Sequence, residues 1–148
     1  MAKAFEKKWK IFFLVATSIF MSTLDSSIVN VALPYMMQDF QTDIKTIQWV
    51  VLTYLVTVSS LLLTFGRLSD IKGRKLVYII GFTTFVAGSL ICGLANTPMF
   101  LILSRGVQGI GASMLMACSP ALIVDAFPLK ERGKALGMIG AVVAAGLT

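Results

Sequence analysis

The chain has 148 residues, of which 57% are hydrophobic and only 14% charged, and its mean hydropathy is +0.86. These values lie outside the range of soluble globular domains and predict a membrane protein. The sequence has no histidine, no nucleophile–base pair and no metal-ligand spacing, so we expect no enzyme activity, no cofactor and no metal. The net charge of +6 comes from basic residues in short stretches between apolar runs, which membrane topology explains better than nucleic-acid binding.

Five apolar runs follow one another along the chain. A helix needs roughly 20 apolar residues to cross a bilayer core of about 30 Å. The first four runs meet that length, whereas the fifth reaches the last residue and is incomplete. The predicted fold class is therefore an all-α membrane protein, a bundle of four complete transmembrane helices plus the start of a fifth. The runs cover residues 11–34, 47–66, 76–95, 99–127 and 135–148.

The linkers between these runs are too short to hold a soluble domain. Neighbouring helices are therefore expected to be antiparallel, since lipid offers the backbone no partner outside the helix. The stretch Gly66–Lys75 is rich in charge and glycine, and it predicts a tight hairpin loop in which Gly73 supplies the freedom in φ. Pro128 is expected to end the fourth helix. The remaining linkers are predicted at residues 35–46, 96–98 and 128–134.

Lysine and arginine are distributed unevenly between the two ends of the runs. The first and third linkers hold only Lys45, whereas the amino-terminal tail and the second and fourth linkers hold eleven basic residues. Basic residues in short loops stay on the cytoplasmic side, so we expect a multi-pass protein of the cell membrane with its amino terminus in the cytoplasm. The eleven are Lys3, Lys7, Lys8, Lys10, Arg67, Lys72, Arg74, Lys75, Lys130, Arg132 and Lys134.

A cleaved signal peptide is the alternative interpretation of the first run. Its lysine-rich start followed by apolar residues 11–24 is typical of such a peptide. However, Asp25 follows directly, the run continues to Pro34, and no clear small-x-small cleavage site is present. We therefore treat the first run as a spanning helix.

Asp25 lies inside the first run. A carboxylate near the middle of a spanning helix costs on the order of 2.5–3.5 kcal/mol to insert, and such residues usually face a bundle interior or a water-filled cavity. Ser18 and Ser22 share its stripe on a helical wheel, which predicts a polar face turned away from lipid. The alternative is a protonated Asp25 bonded to a neighbouring backbone, with no role in transport.

Arg105 is the second ionisable residue inside a run. It lies about 10 Å from the outer end of its helix, and Asp25 lies about 13 Å from the same membrane face, at 1.5 Å per residue. Similar depth predicts that the two side chains approach each other, because either charge alone would be uncompensated. Gln108 lies on the same helix face as Arg105. The alternative is that Arg105 binds helix carbonyls.

Three runs resemble signatures of the major facilitator superfamily. Gly66–Lys75 is similar to its signature between the second and third helices, although Ile71 stands where a basic residue is usual. Residues 101–113, with Leu101, Arg105, Gln108 and Gly109 in register, resemble its fourth-helix signature. Residues 24–34 resemble the first-helix motif of the fourteen-helix drug:proton antiporters.

The resemblance implies the amino-terminal half of a major facilitator fold and a role for particular residues. Asp25 would lie in a central cavity and exchange protons or meet a cationic substrate, and Arg105 would bias its protonation. Asn30 and Gln108 would line the same cavity. A charge cluster at the cytoplasmic face would latch the outward-facing state, and its members would be Gly66, Asp70, Gly73, Arg74 and Asp125.

The expected function is proton-coupled efflux of hydrophobic or cationic small molecules. Its partners would be membrane lipid, the substrate and protons, with no nucleic acid. One alternative is a uniporter or symporter for a metabolite, and another is a small membrane protein without transport activity. The resemblance covers essentially all of residues 1–148 but less than half of such a transporter. Because the run 135–148 resembles an antiporter motif and stops before its Gly-Pro pair, we expect a fragment or a truncated frame without its carboxyl-terminal half.

Overall fold

A computed structural model describes the backbone of residues 2–147 and the side chains of residues 6–147. The side chains of Lys3, one of the basic residues expected in the cytoplasm, and of Thr148 are therefore not among the described ones. The described chain is all-α, as predicted, and four of its helices are long and apolar enough to cross a membrane. The helices are α1 Ala2–Asp39, α2 Ile44–Lys72, α3 Arg74–Gly93, α4 Pro98–Ala126 and α5 Leu129–Leu147.

The first helix is longer than the apolar run from which it was predicted. Pro34, taken as its end, lies inside α1, which continues to Asp39. Proline removes one backbone hydrogen bond, and transmembrane helices tolerate that loss where neighbours compensate. The predicted linker 35–46 therefore shrinks to residues 40–43.

Asp43 caps the start of α2. Its carboxylate accepts a hydrogen bond of 3.1 Å from the backbone N–H of Thr46, one of the donors that have no partner within the helix. This bond lowers the pKa of Asp43. The cap is therefore present above the ordinary pKa range of an aspartate and is lost as the pH falls through the lowered value.

The hairpin predicted at residues 66–75 does turn at Gly73, but it is much shorter than predicted. Helix α2 continues through Lys72, and α3 begins at Arg74, so Gly73 alone separates them. Its φ of +95° is a conformation that L-residues rarely adopt, and its N–H closes α2 with a bond of 3.0 Å to the carbonyl of Ser69. Lysine and arginine, which supply most of the charge here, are good helix formers, so the helix continues into the aqueous interface.

The fourth linker is also shorter than predicted. Helix α4 ends at Ala126 just before Pro128, as expected, but α5 already begins at Leu129. Residues 130–134, four of which are charged, lie in its first turns, and the apolar run predicted from residue 135 continues the helix. Near the other end of α5, Gly146 lies directly against Thr23 of α1.

Helix α4 is the centre of the bundle. It packs most extensively against α3 and α2 and also contacts α1 and α5. Half of its most apolar stretch is buried, against 17–22% for the corresponding stretches of α1, α2 and α3. Residues carried by α4 are therefore placed to meet side chains from every other helix.

Glycines set the spacing of α4 from its neighbours. Gly109 lies against Thr57 of α2, where an added Cβ would come within 3.0 Å of the threonine Cβ. Gly81 and Gly88 of α3 and Gly111 of α4 bring those two backbones into direct contact. The absence of side chains at these positions lets helices approach closely in a lipid environment.

Candidate functional site

Asp25 and Arg105 form an ion pair between α1 and α4. The distance from Arg105 Nη1 to Asp25 Oδ2 is 2.6 Å. The Arg105 side chain is 3% exposed and that of Asp25 is 22% exposed, so the pair is buried mainly on the arginine side. The approach expected from their similar depth is therefore present in the structure. A buried guanidinium needs such a partner, because its desolvation would otherwise be uncompensated.

Arg105 also contacts α2. Its Nε lies 3.4 Å from the backbone carbonyl of Val50, and its guanidinium carbon lies 4.4 Å from the ring centre of Tyr54. A desolvated cation over an aromatic face gains about 2 kcal/mol. The alternative expected from the sequence, a bond from Arg105 to a helix carbonyl, is thus present together with the ion pair and does not replace it.

Gln108 closes a ring with the ion pair. Its Nε2 donates to Asp25 Oδ1 at 2.9 Å, and its Oε1 accepts from Arg105 Nη1 at 2.5 Å. Gln108 is fully buried and lies one helical turn after Arg105. Each oxygen of the carboxylate therefore has its own donor, one charged and one neutral.

Asn30 lies outside this ring. It is exposed, and it comes five residues after Asp25, roughly 140° round the helix at 3.6 residues per turn. By contrast, the stripe predicted to turn inward does so: Ser18 is buried and accepts a bond of 2.7 Å from the hydroxyl of Tyr78. The structure thus brings together Asp25, Arg105 and Gln108 but leaves Asn30 on another face.

Sequence reasoning missed three side chains of the site. Tyr54 of α2 lies over Arg105, and Ser89 and Cys92 of α3 both contact the amide of Gln108. Each is an ordinary residue of an apolar run, so hydrophobic periodicity carries no signal for it. Only the packing of α2 and α3 against α4 places these side chains at the ion pair.

A second cluster of charges joins α2, α3 and α4 at the opposite end of the bundle. Arg74 Nη1 lies 2.5 Å from Asp125 Oδ2, and Arg74 Nη2 lies 3.2 Å from Asp70 Oδ1. Arg74 also donates to the carbonyl of Ala121 at 3.4 Å. All three charged side chains are at least 32% exposed, so each pair contributes only about 0–1 kcal/mol. Contacts of that strength can break and form again during a conformational change.

The two glycines predicted for this cluster differ in what the structure requires of them. Gly73 separates α2 from α3 and so places Arg74 at the first position of α3, beside Asp70 and Asp125. A Cβ on Gly66 would meet no atom within 4 Å, and Gly66 contributes only a carbonyl that accepts from Ser69 at 2.7 Å. Nothing among the described residues therefore requires glycine at position 66.

Comparison with known proteins places these sites in a family context. The family model of the Major Facilitator Superfamily matches residues 15–148. The chain is 43% identical over 141 residues to the riboflavin transporter RibZ of Clostridioides difficile, covering 95% of this chain and 31% of that protein. It is 39% identical to the multidrug resistance protein Stp of Mycobacterium tuberculosis, covering 91% and 26%, and 37% identical to the multidrug transporter protein MdtP of Bacillus subtilis, covering 84% and 23%.

The chain thus spans between about a quarter and a third of the length of these curated relatives. The family model covers residues 15–39 of the first candidate spanning helix, the other three in full and both charge clusters. The resemblance seen in the sequence motifs is confirmed: this multi-pass membrane chain belongs to the Major Facilitator Superfamily.

Proposed function

We propose that this chain is part of a proton-coupled exporter of hydrophobic or cationic small molecules. The observation that carries the proposal is the ring of Asp25, Arg105 and Gln108 inside a membrane-spanning bundle. An ionisable pair at such a position is costly, and function is its usual reason. The names of two relatives, which describe a multidrug resistance protein and a multidrug transporter, support the same substrate class.

The geometry allows Asp25 to exchange one partner for another. The Asp25 side chain is 22% exposed and that of Arg105 only 3%, which supports access of a proton or a cation to Asp25 while Arg105 remains buried. When a proton neutralises Asp25, Arg105 still has the Val50 carbonyl and the Tyr54 ring as partners. Proton and cationic substrate therefore compete for one carboxylate, and that competition is the basis of antiport.

The test is transport by a full-length transporter that carries this segment, in membrane vesicles whose cytoplasmic face is outside. A proton gradient directed outward from the vesicle lumen is expected to drive a lipophilic cation such as ethidium into the vesicles, and a protonophore is expected to stop it. Uptake that is indifferent to the protonophore would contradict proton coupling.

A metabolite transporter is the second candidate, favoured by the 43% identity to the riboflavin transporter RibZ. The same vesicles, preloaded with unlabelled riboflavin, distinguish the two, because exchange of labelled riboflavin into the lumen does not depend on the direction of net transport. Riboflavin exchange without uptake of ethidium would assign the protein to metabolite transport. Neither exchange nor uptake by a vesicle that contains correctly folded protein would contradict both candidates and favour a role without transport.

We further propose that the protein lies in the cell membrane and that the cluster of Asp70, Arg74 and Asp125 lies at its cytoplasmic face. There the cluster would act as a latch, a set of contacts that stabilises the outward-facing state. The excess of basic residues at this end of the bundle supports a cytoplasmic location, and with it a cytoplasmic amino terminus. Superfamily transporters move two halves around a central site, and such motion needs contacts that stabilise one state and break in the other. The exposed pairs of Arg74 have the required modest strength.

Replacing Asp70 with asparagine is expected to slow transport about fivefold, because the loss of one exposed pair changes the balance of two states by up to about that factor. Transport in the full-length protein is the measurement. Glu6→Gln is the matched control, since Glu6 forms an exposed i,i+4 pair with Lys10 that is not part of the cluster. Equal transport by Asp70→Asn and by the unsubstituted protein would remove the latch.

A further inference from the structure

Helix α3 contacts the buried ion pair indirectly, through the amide of Gln108. Nε2 of Gln108 donates to Ser89 Oγ at 2.6 Å, in addition to its bond with Asp25. The thiol of Cys92, one turn further along α3, lies 3.8 Å from Gln108 Oε1, which also accepts from Arg105. Both ends of one buried amide are therefore in contact with the same face of α3.

The close approach of α3 to Gln108 depends on Gly88. A Cβ at position 88 would lie 2.7 Å from Gln108 Cα and 2.9 Å from its backbone nitrogen, distances that real Cβ atoms do not show. Without a side chain at Gly88, the two backbones touch at this level. The neighbouring residue Ser89 then reaches across to the amide with its short side chain.

The ion pair selects one orientation of the amide. An amide presents two N–H donors at one end and an acceptor oxygen at the other. The Asp25 carboxylate requires a donor and Arg105 requires an acceptor, so the nitrogen faces Asp25 and the oxygen faces Arg105. In that orientation the Ser89 oxygen accepts from the nitrogen end, and the Cys92 thiol donates to the oxygen end.

We propose that Ser89 is a positioning residue for the Asp25–Arg105 pair, which it holds through the placement of Gln108, with Cys92 as a weaker second contact. Loss of the Ser89 hydroxyl leaves one N–H of a fully buried amide without a partner. Asp25 and Arg105 still fix which end of the amide faces each charge, but the amide is no longer held on its α3 side. It then moves from its place between α3 and the ion pair, and its bonds to Asp25 and Arg105 lose their geometry.

The S–H stretch of Cys92 in the infrared spectrum reports the placement of the amide without any transport assay. The variant Cys118→Ala leaves Cys92 as the single thiol of the sequence. In that background, reconstituted in lipid, Ser89→Ala is expected to shift the S–H band to higher wavenumber, because the displaced amide oxygen accepts from the thiol less well. Ser89→Thr, which keeps a hydroxyl, is expected to restore the band.

Ser119→Ala is the matched control, because Ser119 is a buried serine that bonds the carbonyl of Leu115 within its own helix. In Ser119→Ala the S–H band of Cys92 is expected at the same wavenumber as in the Cys118→Ala protein. An unchanged band in Ser89→Ala, or an equal shift in Ser119→Ala, would overturn the positioning role.

The second arm rests on the proposed function and uses transport by a full-length transporter that carries this segment. Ser89→Ala is expected to slow transport roughly tenfold, the effect of losing one buried hydrogen bond of ordinary strength, and Ser89→Thr is expected to recover it. If the unsubstituted protein moves neither compound, the proposed function fails while the infrared result still decides the role of Ser89. If transport by Ser89→Ala is normal while the band moves, Ser89 places the amide without effect on the ion pair in transport, and the proposal is overturned.

Discussion

Replacing Arg105 with glutamine is expected to lower the free energy of unfolding by about 3–5 kcal/mol, because it leaves the part-buried carboxylate of Asp25 without its cation. Asp25→Asn is expected to cost a similar amount, since it leaves the guanidinium of Arg105, 3% exposed, without its anion. The double variant should cost less than the sum of the two, because it leaves neither charge alone. We expect a coupling free energy of about 2 kcal/mol or more, measured by unfolding in mixed micelles.

The ion pair between Lys8 of α1 and Glu131 of α5 is the control for this cycle. It also joins two helices, but the Glu131 side chain is 48% exposed. Solvent screens such a pair, so the cycle Lys8→Gln with Glu131→Gln is expected to give a coupling of about 1 kcal/mol or less. Additive effects of Asp25→Asn and Arg105→Gln would show that the two charges act independently and would remove the basis of the proposed exchange. The same four proteins, assayed for transport in a full-length background, extend the test from stability to function.

Replacing Gly111 with alanine is expected to lower the free energy of unfolding by about 3 kcal/mol, at the upper end for overpacking in a core. An added Cβ would overlap the backbone nitrogen of Phe85 and lie 2.7 Å from the carbonyl oxygen of Gly81. Both are backbone atoms, which cannot turn aside as the end of a flexible side chain can. Helices α3 and α4 would have to separate, and Ser89 would lose its contact with Gln108.

A graded series of alanine substitutions on α4 makes this prediction testable even if Gly111→Ala fails to fold. At Gly106 the nearest atom to an added Cβ is Thr53 Cγ2 at 3.4 Å, an ordinary contact. At Gly109 the nearest is Thr57 Cβ at 3.0 Å, where a neighbour must shift. The expected order of destabilisation is Gly111, then Gly109, then Gly106, measured by thermal unfolding in detergent. Equal stability of all three variants would show that α4 is not held this closely against α2 and α3.

Several predictions from the sequence depended on single residues, and their outcomes differ for identifiable reasons. Gly73 is confirmed as the break between two helices, because a positive φ is a local requirement that one residue can reveal. The prediction of a loop over residues 66–75 was wrong, because charged residues show where a helix leaves the apolar layer and not where the helix ends. Gly66 and Asn30 were placed in sites by resemblance, and the structure adds no support for either: a side chain at position 66 would meet open space, and Asn30 is exposed.

The amino-acid sequence by itself determined that this chain is a series of membrane-spanning helices. A helix that crosses the apolar layer of a membrane needs an apolar run of a fixed minimum length, and that length can be counted in the sequence. It also determined how deep Asp25 and Arg105 lie in the membrane, since that depth follows from the number of residues between each side chain and the end of its helix. Only the tertiary structure decided which side chains surround that pair. Tyr54, Ser89 and Cys92 come from helices α2 and α3, whose rotation and spacing against α4 are set by contacts between glycines and backbone. Those contacts join residues far apart in the chain, so no pattern within one helix predicts them.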